Sequence, residues 1–448
     1  MSRIVPEAVH LQWWHYNQRG PWLFAAEIEQ GIKAIPVRIQ LLDLVSGLAS
    51  ALDLISPAVA GHHRRVAAIA TALGVRLGLS ASELEDLRLA GLLHDVGAFT
   101  LKSRLDALQF DTLDEGHAET GWRLLRPAPG LERAARLVRR HHTRFDEFGD
   151  IPEEPRMLFL GNVLNLADRV DVYLRRDRDL AAEAAQALKA TRFLAGRSFD
   201  PEAVRVLQDT ASATSLAPDF WEDAVQDGLC QGPCPSTALE DGQILDFSLT
   251  FSQVIDFRSR FTATHSRAVA EVGRALAEMD GFSPADQGLV LLAGNLHDLG
   301  KLAVPAEILE KPGALNLSEA EIMRRHAEIG ERVLSSVPGL EDVAEYGGRH
   351  HERPNGRGYP QGLTRAELRR PSLLLAVADV FTALLEDRPY RPGMSPAQVR
   401  DLLLSLAEAG DLDRDAVRLL LSRQNIVAEI RHLAQHEAQQ QFNAFAAA

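Results

Sequence analysis

Apolar residues recur along this chain at helical rather than strand spacing. After His62 they fall at Val66, Ile69 and Leu73, and after His265 at Val269, Val272 and Leu276. These offsets put each trio on one face of a helix with about 3.6 residues per turn. A second helix starts in both places with recognisable chemistry. Ser80 with Glu83 resembles a capping box, and Ser283 before Pro284 pairs an N-cap with proline in the first turn. Gly97 and Gly300 are expected to stop those helices. No stretch sustains a two-residue alternation, so the pattern predicts an all-α protein of two tandem helical bundles.

The two bundles are copies of one another. His62 precedes the doublet His94 and Asp95 by 32 residues, and His265 precedes His297 and Asp298 by the same 32. A lone His, His117 or His326, then stands 24 residues before an adjacent pair, His141 and His142 or His350 and His351. Each series ends in an Asp within an apolar stretch, Asp168 and Asp379. Ten of the fifteen histidines occupy these slots, which chance does not produce. The chain divides accordingly into an extension over 1–35, a first domain over 36–210, a linker over 211–245, a second domain over 246–425 and a closing helix over 426–448. The linker is rich in Pro and Gly, with a short helical patch over 220–225. The closing helix is expected to fray from Gln439 onward.

Composition narrows the classes. With 62 acidic against 48 basic residues the net charge is −14, which argues against a general basic surface for DNA or anionic membrane. A hydrophobic fraction of 46% excludes disorder as the main state. Cys230 and Cys234 form no disulfide framework and read as ordinary thiols. No apolar run approaches the ~20 residues of a membrane span. A soluble, cytoplasmic protein is the expectation.

The repeated residue types explain one another. Imidazole and carboxylate together ligate transition metals such as Fe, Mn, Zn or Ni. Seven such groups are too many for one tetrahedral ion and suit a pair about 3.5–4 Å apart. Asp298, beside His297 at a helix end, is the natural bridge. Asp379 among Leu373, Leu374, Val377 and Phe381 would be costly to bury without a cation. His63, whose counterpart is Ser266, reads as a surface or supporting residue, and His10, His15, His432 and His436 as solvated.

The opening His, the His-Asp doublet and the late Asp resemble the HD phosphohydrolase signature. The second copy is similar to an HD-GYP domain, a class of cyclic di-GMP phosphodiesterases, through His297 to Lys301, His350 to Pro360, Asp379 to Leu384 and Arg388 to Arg391. The resemblance implies two tandem HD-type bundles, with His265, His297, Asp298, His326, His350, His351 and Asp379 holding two divalent ions, commonly iron or manganese. Family members with a third metal carry Glu four residues before the opening His. That position is Phe261 here, so two metals are expected. Lys301 matches the catalytic lysine and acts with Asp298; Tyr359, Arg388 and Arg391 match positions that contact the cyclic dinucleotide. The implied reaction opens cyclic di-GMP to pGpG, and onward to GMP, through a hydroxide on the metal pair. Asn355 and Thr382 stand where Asp is common and are expected to weaken hydrogen bonding in the loop and around the ligands.

The first copy keeps His62, His94, Asp95, His117, His141, His142 and Asp168 as a second candidate metal set. It carries Ala98 instead of the lysine and lacks the Gly-Tyr-Pro loop, so it is expected to bind metal but to be poor or inactive on cyclic di-GMP, serving a regulatory role or hydrolysing another substrate. Its arginines, Arg133, Arg136, Arg139, Arg140 and Arg144, read as a solvated face or a phosphate trap. Two further readings stay open: an HD enzyme acting on another cyclic dinucleotide or nucleotide, and a largely non-catalytic nucleotide sensor. A homodimer and an internal pseudo-dimer of the two copies are both compatible with the sequence.

Overall fold

The computed structural model describes residues 37–54, 60–98, 116–174, 179–213, 237–257, 264–387 and 392–447. Phe261, Arg388, Arg391, both cysteines and the helical patch expected over 220–225 lie outside them. The described residues are helical almost throughout. Strand β1 (Ile39–Gln40) leads into helix α1 (Leu41–Asp53), followed by α2 (His62–Arg76), α3 (Ala81–Leu93), α4 (Gly116–Leu125), α5 (Glu132–Arg140), α6 (Pro155–Tyr173), α7 (Leu180–Phe193) and α8 (Pro201–Ala213). The second half repeats this order with β2 (Ala238–Leu239), α9 (Asp241–Asp256), α10 (His265–Met279), α11 (Pro284–Leu296), α12 (Leu317–Ser335), α13 (Glu341–Gly348) and α14 (Arg370–Leu385). Helices α15 (Pro396–Glu408), α16 (Arg414–Ser422) and α17 (Gln424–Ala447) complete it.

Local chemistry accounts for the boundaries. Ser80 accepts from Glu83 N while the Glu83 carboxylate accepts from Ser80 N, and Ser283 Oγ accepts from Asp286 N with Pro284 in the first turn. Caps of this kind contribute about 1 kcal/mol each. Val66, Ile69, Leu73, Val269, Val272 and Leu276 are all buried, so one face of α2 and of α10 meets the core. In each copy the opening-His helix crosses the His-Asp helix at a glycine. A Cβ on Gly91 would lie 2.6 Å from Ala67 Cα, and one on Gly294 would lie 2.4 Å from Ala270 Cα. Alanine at either position would force apart the helices that carry the repeated histidines.

The two halves are joined face to face. Strands β1 and β2 pair antiparallel, Ile39 opposite Leu239 and Gln40 opposite Ala238, in a two-stranded clip with approximate twofold symmetry. Helix α1 packs on α2 and α3 of its own half and also on α12 and the 3-10 turn Leu299–Ala303 of the other. Helix α9 packs on α10 and α11 and reaches across to α4. Leu44, Leu48, Ile244, Phe247 and Phe251 are buried in this seam.

Two expectations need correction. Residues 238–245 are not linker, because β2 and the first turn of α9 occupy them. The closing helix runs unbroken from Gln424 to Ala447. Ala434 and Ala438 are buried, and Phe442 and Phe445 flank the ring of Phe257 at 5.0 and 5.1 Å. Apolar contact to its end offsets the fraying its glutamines would favour. Among the described residues, no helix is long and apolar enough to cross a membrane.

Candidate metal centres

In the second half, the seven repeated side chains converge from five places in the sequence. His265 opens α10, His297 caps α11, Asp298 begins the following turn, His326 lies on α12, His350 and His351 follow α13, and Asp379 lies on α14. Six of them form two triads whose candidate ligand atoms lie within 4.8 Å of one another: His265, His297 and Asp379, and His326, His350 and His351. Asp298 sits between. One of its oxygens is 3.2 Å from His297 Nε2 and the other 3.3 Å from His326 Nε2.

The orientation of the rings is fixed from behind. His297 Nδ1 meets Gly294 O at 2.7 Å, His326 Nδ1 meets Met323 O at 2.5 Å, and His350 Nδ1 meets Gly347 O at 2.6 Å. A carbonyl can only accept, so each Nδ1 carries the proton and each Nε2 presents a lone pair inward. Those three Nε2 atoms, and Asp298 Oδ1, are buried without a hydrogen-bond partner. Buried polar atoms are rarely left so. Converging imidazole lone pairs around an unsatisfied carboxylate oxygen fit a divalent cation, and the donor set suits a transition metal.

Electrostatics divide the rings: burial would lower His297, yet Asp298 outweighs it and raises it, while others fall. Burial lowers the His326 and His350 pKa values, the latter helped by His351 and His297, and pushes His351 down to about 3. These rings are neutral near pH 7. Burial alone would raise Asp298 and Asp379, but His297 and Lys301 hold the first, and His265 the second, well below the usual carboxylate range. Burial would also lower His265, yet Glu386 and Asp379 outweigh it and raise it to about 10.

Gly97 and Gly300 do not end helices as expected. Helices α3 and α11 stop at Leu93 and Leu296, with His94 and His297 as their C-caps. Instead, a Cβ on Gly300 would lie 1.9 Å from His326 O, and one on Gly97 would lie 2.1 Å from His117 O. Only glycine lets the His-Asp turn seat against the next histidine's backbone.

Lys301 Nζ donates to Asp298 Oδ2 at 2.6 Å. Tyr359 packs its ring 4.7 Å from that of His351, and burial raises its hydroxyl pKa. The Gly-Tyr-Pro loop is shaped by Glu352, whose buried carboxylate accepts from Gln361 N, Gly362 N and Leu363 N at 2.6–3.1 Å. Sequence reasoning passed over Glu352 and also Arg353. The latter is half-buried beside His351 and Tyr359, and its Nη1 is buried without a hydrogen-bond partner. Asn355 does not weaken the loop. Its Nδ2 donates to Ala409 O and Asp411 Oδ1 at 3.2 and 2.7 Å, and its Oδ1 accepts from Arg357 N. Thr382 Oγ1, by contrast, is buried and unpartnered.

The first half assembles the corresponding cluster: His62, His94 and Asp168, then His117, His141 and His142. Asp95 lies between, 3.5 Å from His94 Nε2 and 3.3 Å from His117 Nε2. The carbonyls of Gly91 and Val138 fix His94 and His141 from behind. His63 is not a surface residue: it is buried, held by Asp53 at 2.5 Å, with its ring 5.2 Å from that of His94. Arg169, with no cationic counterpart in the second half, donates to Asp168 Oδ2 through Nη2 at 2.5 Å and Nε at 3.0 Å. The arginine run is a set of internal ion pairs rather than a phosphate trap. Arg133 meets Asp86, Arg136 Glu153, Arg139 Glu119, and Arg144 both Asp146 and Glu147.

Comparison with known proteins follows the same division. Two HD-domain family models match, over residues 59–173 and 250–415. The chain is similar to the 3'3'-cGAMP-specific phosphodiesterase 1 of Vibrio cholerae serotype O1, 33% identical over 379 residues that cover 82% of this chain and 88% of that protein. It is 41% identical over 138 residues to a cyclic di-GMP phosphodiesterase of Thermotoga maritima, covering 30% of this chain and 38% of that protein. A solved structure of a cyclic GMP-AMP specific phosphodiesterase of Vibrio cholerae shares the fold with a TM-score of 0.61 at 23% identity, covering 87% of this chain and 98% of that one.

Proposed function

The chain belongs to the tandem HD/HD-GYP phosphohydrolases and is a metal-dependent phosphodiesterase, and on that footing we propose that its second centre opens the ring of a cyclic dinucleotide. The placement of Asp298 between two triads, one oxygen toward each, is the observation that carries this reading. His265, His297 and Asp379 would hold one divalent ion and His326, His350 and His351 the other, with Asp298 placed to serve both. Iron and manganese are the ions proposed, among the several transition metals this mixed imidazole and carboxylate shell accepts. When bound, the pair supplies a water acidified to near neutrality and offsets charge on the phosphoryl oxygens.

The chain's own groups do the rest. Lys301 is kept protonated by Asp298 and Asp379 despite burial, which alone would lower it. Its ammonium stabilises charge on the phosphoryl group and gives a proton to the departing ribose oxygen. Arg353 takes a substrate phosphate with its unpaired guanidinium, and Tyr359 supports a base or ribose at the mouth. Arg388 and Arg391 are assigned to the dinucleotide on the sequence motif alone. The hybrid 3'3'-cGAMP ring is the first substrate candidate, supported by the relative that aligns across both halves. Cyclic di-GMP is the second, supported by relatives of the second half.

The first centre binds metal without turning over substrate in this reading. Ala98 replaces the lysine, Arg169 occupies one oxygen of Asp168, and Arg144, in register with Arg353, is consumed by Asp146 and Glu147. The deciding experiment uses protein purified without oxygen, its metal counted by element, incubated with cyclic di-GMP, 3'3'-cGAMP and cyclic di-AMP. A linear dinucleotide with a terminal phosphate from either guanine-containing ring supports the reading. No product from any ring, with the second centre fully loaded, would end it.

A further inference from the structure

The two centres hold their opening histidines by different means. In the first half, His62 Nδ1 lies 2.8 Å from Asp171 Oδ2, and Arg65 grips that carboxylate at 2.5 and 2.9 Å. Asp171 stands three residues after Asp168 on α6, so the candidate ligand and the orienting carboxylate share a helix face. The same register in the second half is Thr382, and the residue in register with Arg65 is Ala268. Both parts of the device are gone there. Thr382 Oγ1 is left buried with no hydrogen-bond partner.

His265 nevertheless meets a carboxylate. Glu386 lies just past the end of α14, seven residues beyond Asp379, which is two helical turns along the same face. Its oxygens are 3.2 and 3.1 Å from His265 Nδ1, while His265 Nε2 faces Asp379 Oδ1 at 3.1 Å. Gln435 Nε2, on the closing helix α17, donates to Glu386 Oε1 at 2.8 Å. Helix α17 packs along α10, the helix that His265 opens. Glu386 is itself buried, and a buried carboxylate must be paired on every side to persist.

We propose that Glu386 is the positioning residue for His265, displaced two turns from the register its counterpart uses, and that Gln435 makes the closing helix part of the metal centre's support. This rests on the reading of His265 as a ligand. A carboxylate on the far ring nitrogen fixes the ring and raises the basicity of the near one, so its loss lowers metal affinity about 10–100-fold.

The test is retention of manganese(II) against a chelator, measured on the full chain as wild type and as H265A, E386A, E386Q, Q435A and the double variant E386A/T382D. Thermal melting of the metal-free proteins guards against a folding defect, and E386Q keeps the side chain's shape. Expected is a roughly 10–100-fold loss of retention in E386A, smaller losses in E386Q and Q435A, and recovery in E386A/T382D, whose new carboxylate stands where Asp171 stands in the first half. A simple packing role would not be rescued by Thr382→Asp. Wild-type retention in E386A, with loss in H265A, overturns the inference and leaves the reading of the centre intact. Wild-type retention in H265A overturns both.

Discussion

Lys301 donates to Asp298 Oδ2 across 2.6 Å, tying the proposed general acid to the carboxylate that sits between the two histidine triads. Both groups are supplied by one turn, so the ammonium is held where charge develops and needs little rearrangement. Lys301→Ala should lower turnover by roughly 10²–10³-fold, the scale of losing one preorganised charge stabiliser. Metal content should stay at the wild-type count. Steady-state kinetics beside elemental analysis checks this; unchanged turnover would remove Lys301 from the chemistry.

The two centres should respond differently to the same lesion. His297→Ala should abolish turnover, whereas His94→Ala should reduce the metal count or the melting temperature while leaving most of the turnover. Equal losses would mean that the first centre is catalytic. Elemental analysis should return up to four ions per wild-type chain if both centres fill, on the two-ion logic of such sites.

Arg353→Ala should raise KM more than it lowers kcat, by about tenfold, because a guanidinium–phosphate contact contributes on the order of 1.5–3 kcal/mol. Arg144→Ala, in register in the first half, should change neither, since its charge is already spent on Asp146 and Glu147. A KM effect from Arg144 would reverse this assignment.

Asn355→Asp restores a residue common in the resembling family, yet it should destabilise this protein by about 1–2 kcal/mol. The amide that donates to Ala409 O and Asp411 Oδ1 would become a carboxylate facing two acceptors. Urea unfolding of the two proteins at pH 7 measures the difference. A variant as stable as the parent would show that the loop re-forms around the charge.

Burial, with the charge of Asp298 adding to it, pushes Asp256 up to about 7 against the opposing pull of His265 and Ser266. Its proton is therefore held more tightly in the folded chain than in the unfolded one, where such a group titrates near ~3.9. The associated stability is fully present below about pH 4 and is lost as pH rises through about 7. Asp256→Asn should remove this slope, so metal-free variant and wild type should diverge progressively across that window in urea midpoint. A constant offset would contradict the shift.

The His and Asp constellation was legible because it occurs twice at the same spacing, and the helical period around it is unambiguous in Val66 to Leu73 and Val269 to Leu276. What lay hidden depended on distance in three dimensions. Glu386 is an unremarked acid until α14 and α10 are laid side by side. Asn355 looks like a defect until the loop after α15 brings Ala409 and Asp411 to it. Gly300 reads as a helix stop, and only the packing against His326 O reveals it as a close approach. His63 has a polar counterpart in Ser266, which left a surface place and a supporting one both open. Both in fact bond to the Asp that ends the preceding helix, Asp53 and Asp256.

The packing of α1 on α12 and on the Leu299–Ala303 turn bears on any attempt to work with the second half by itself. A fragment starting at Asp241 would lay bare the flank of α12 and of the Leu299–Ala303 turn that α1 now covers. Another molecule of the same fragment carries the same bare flank. Such an excised piece should self-associate, and its activity in dilute solution would report that association as much as its chemistry.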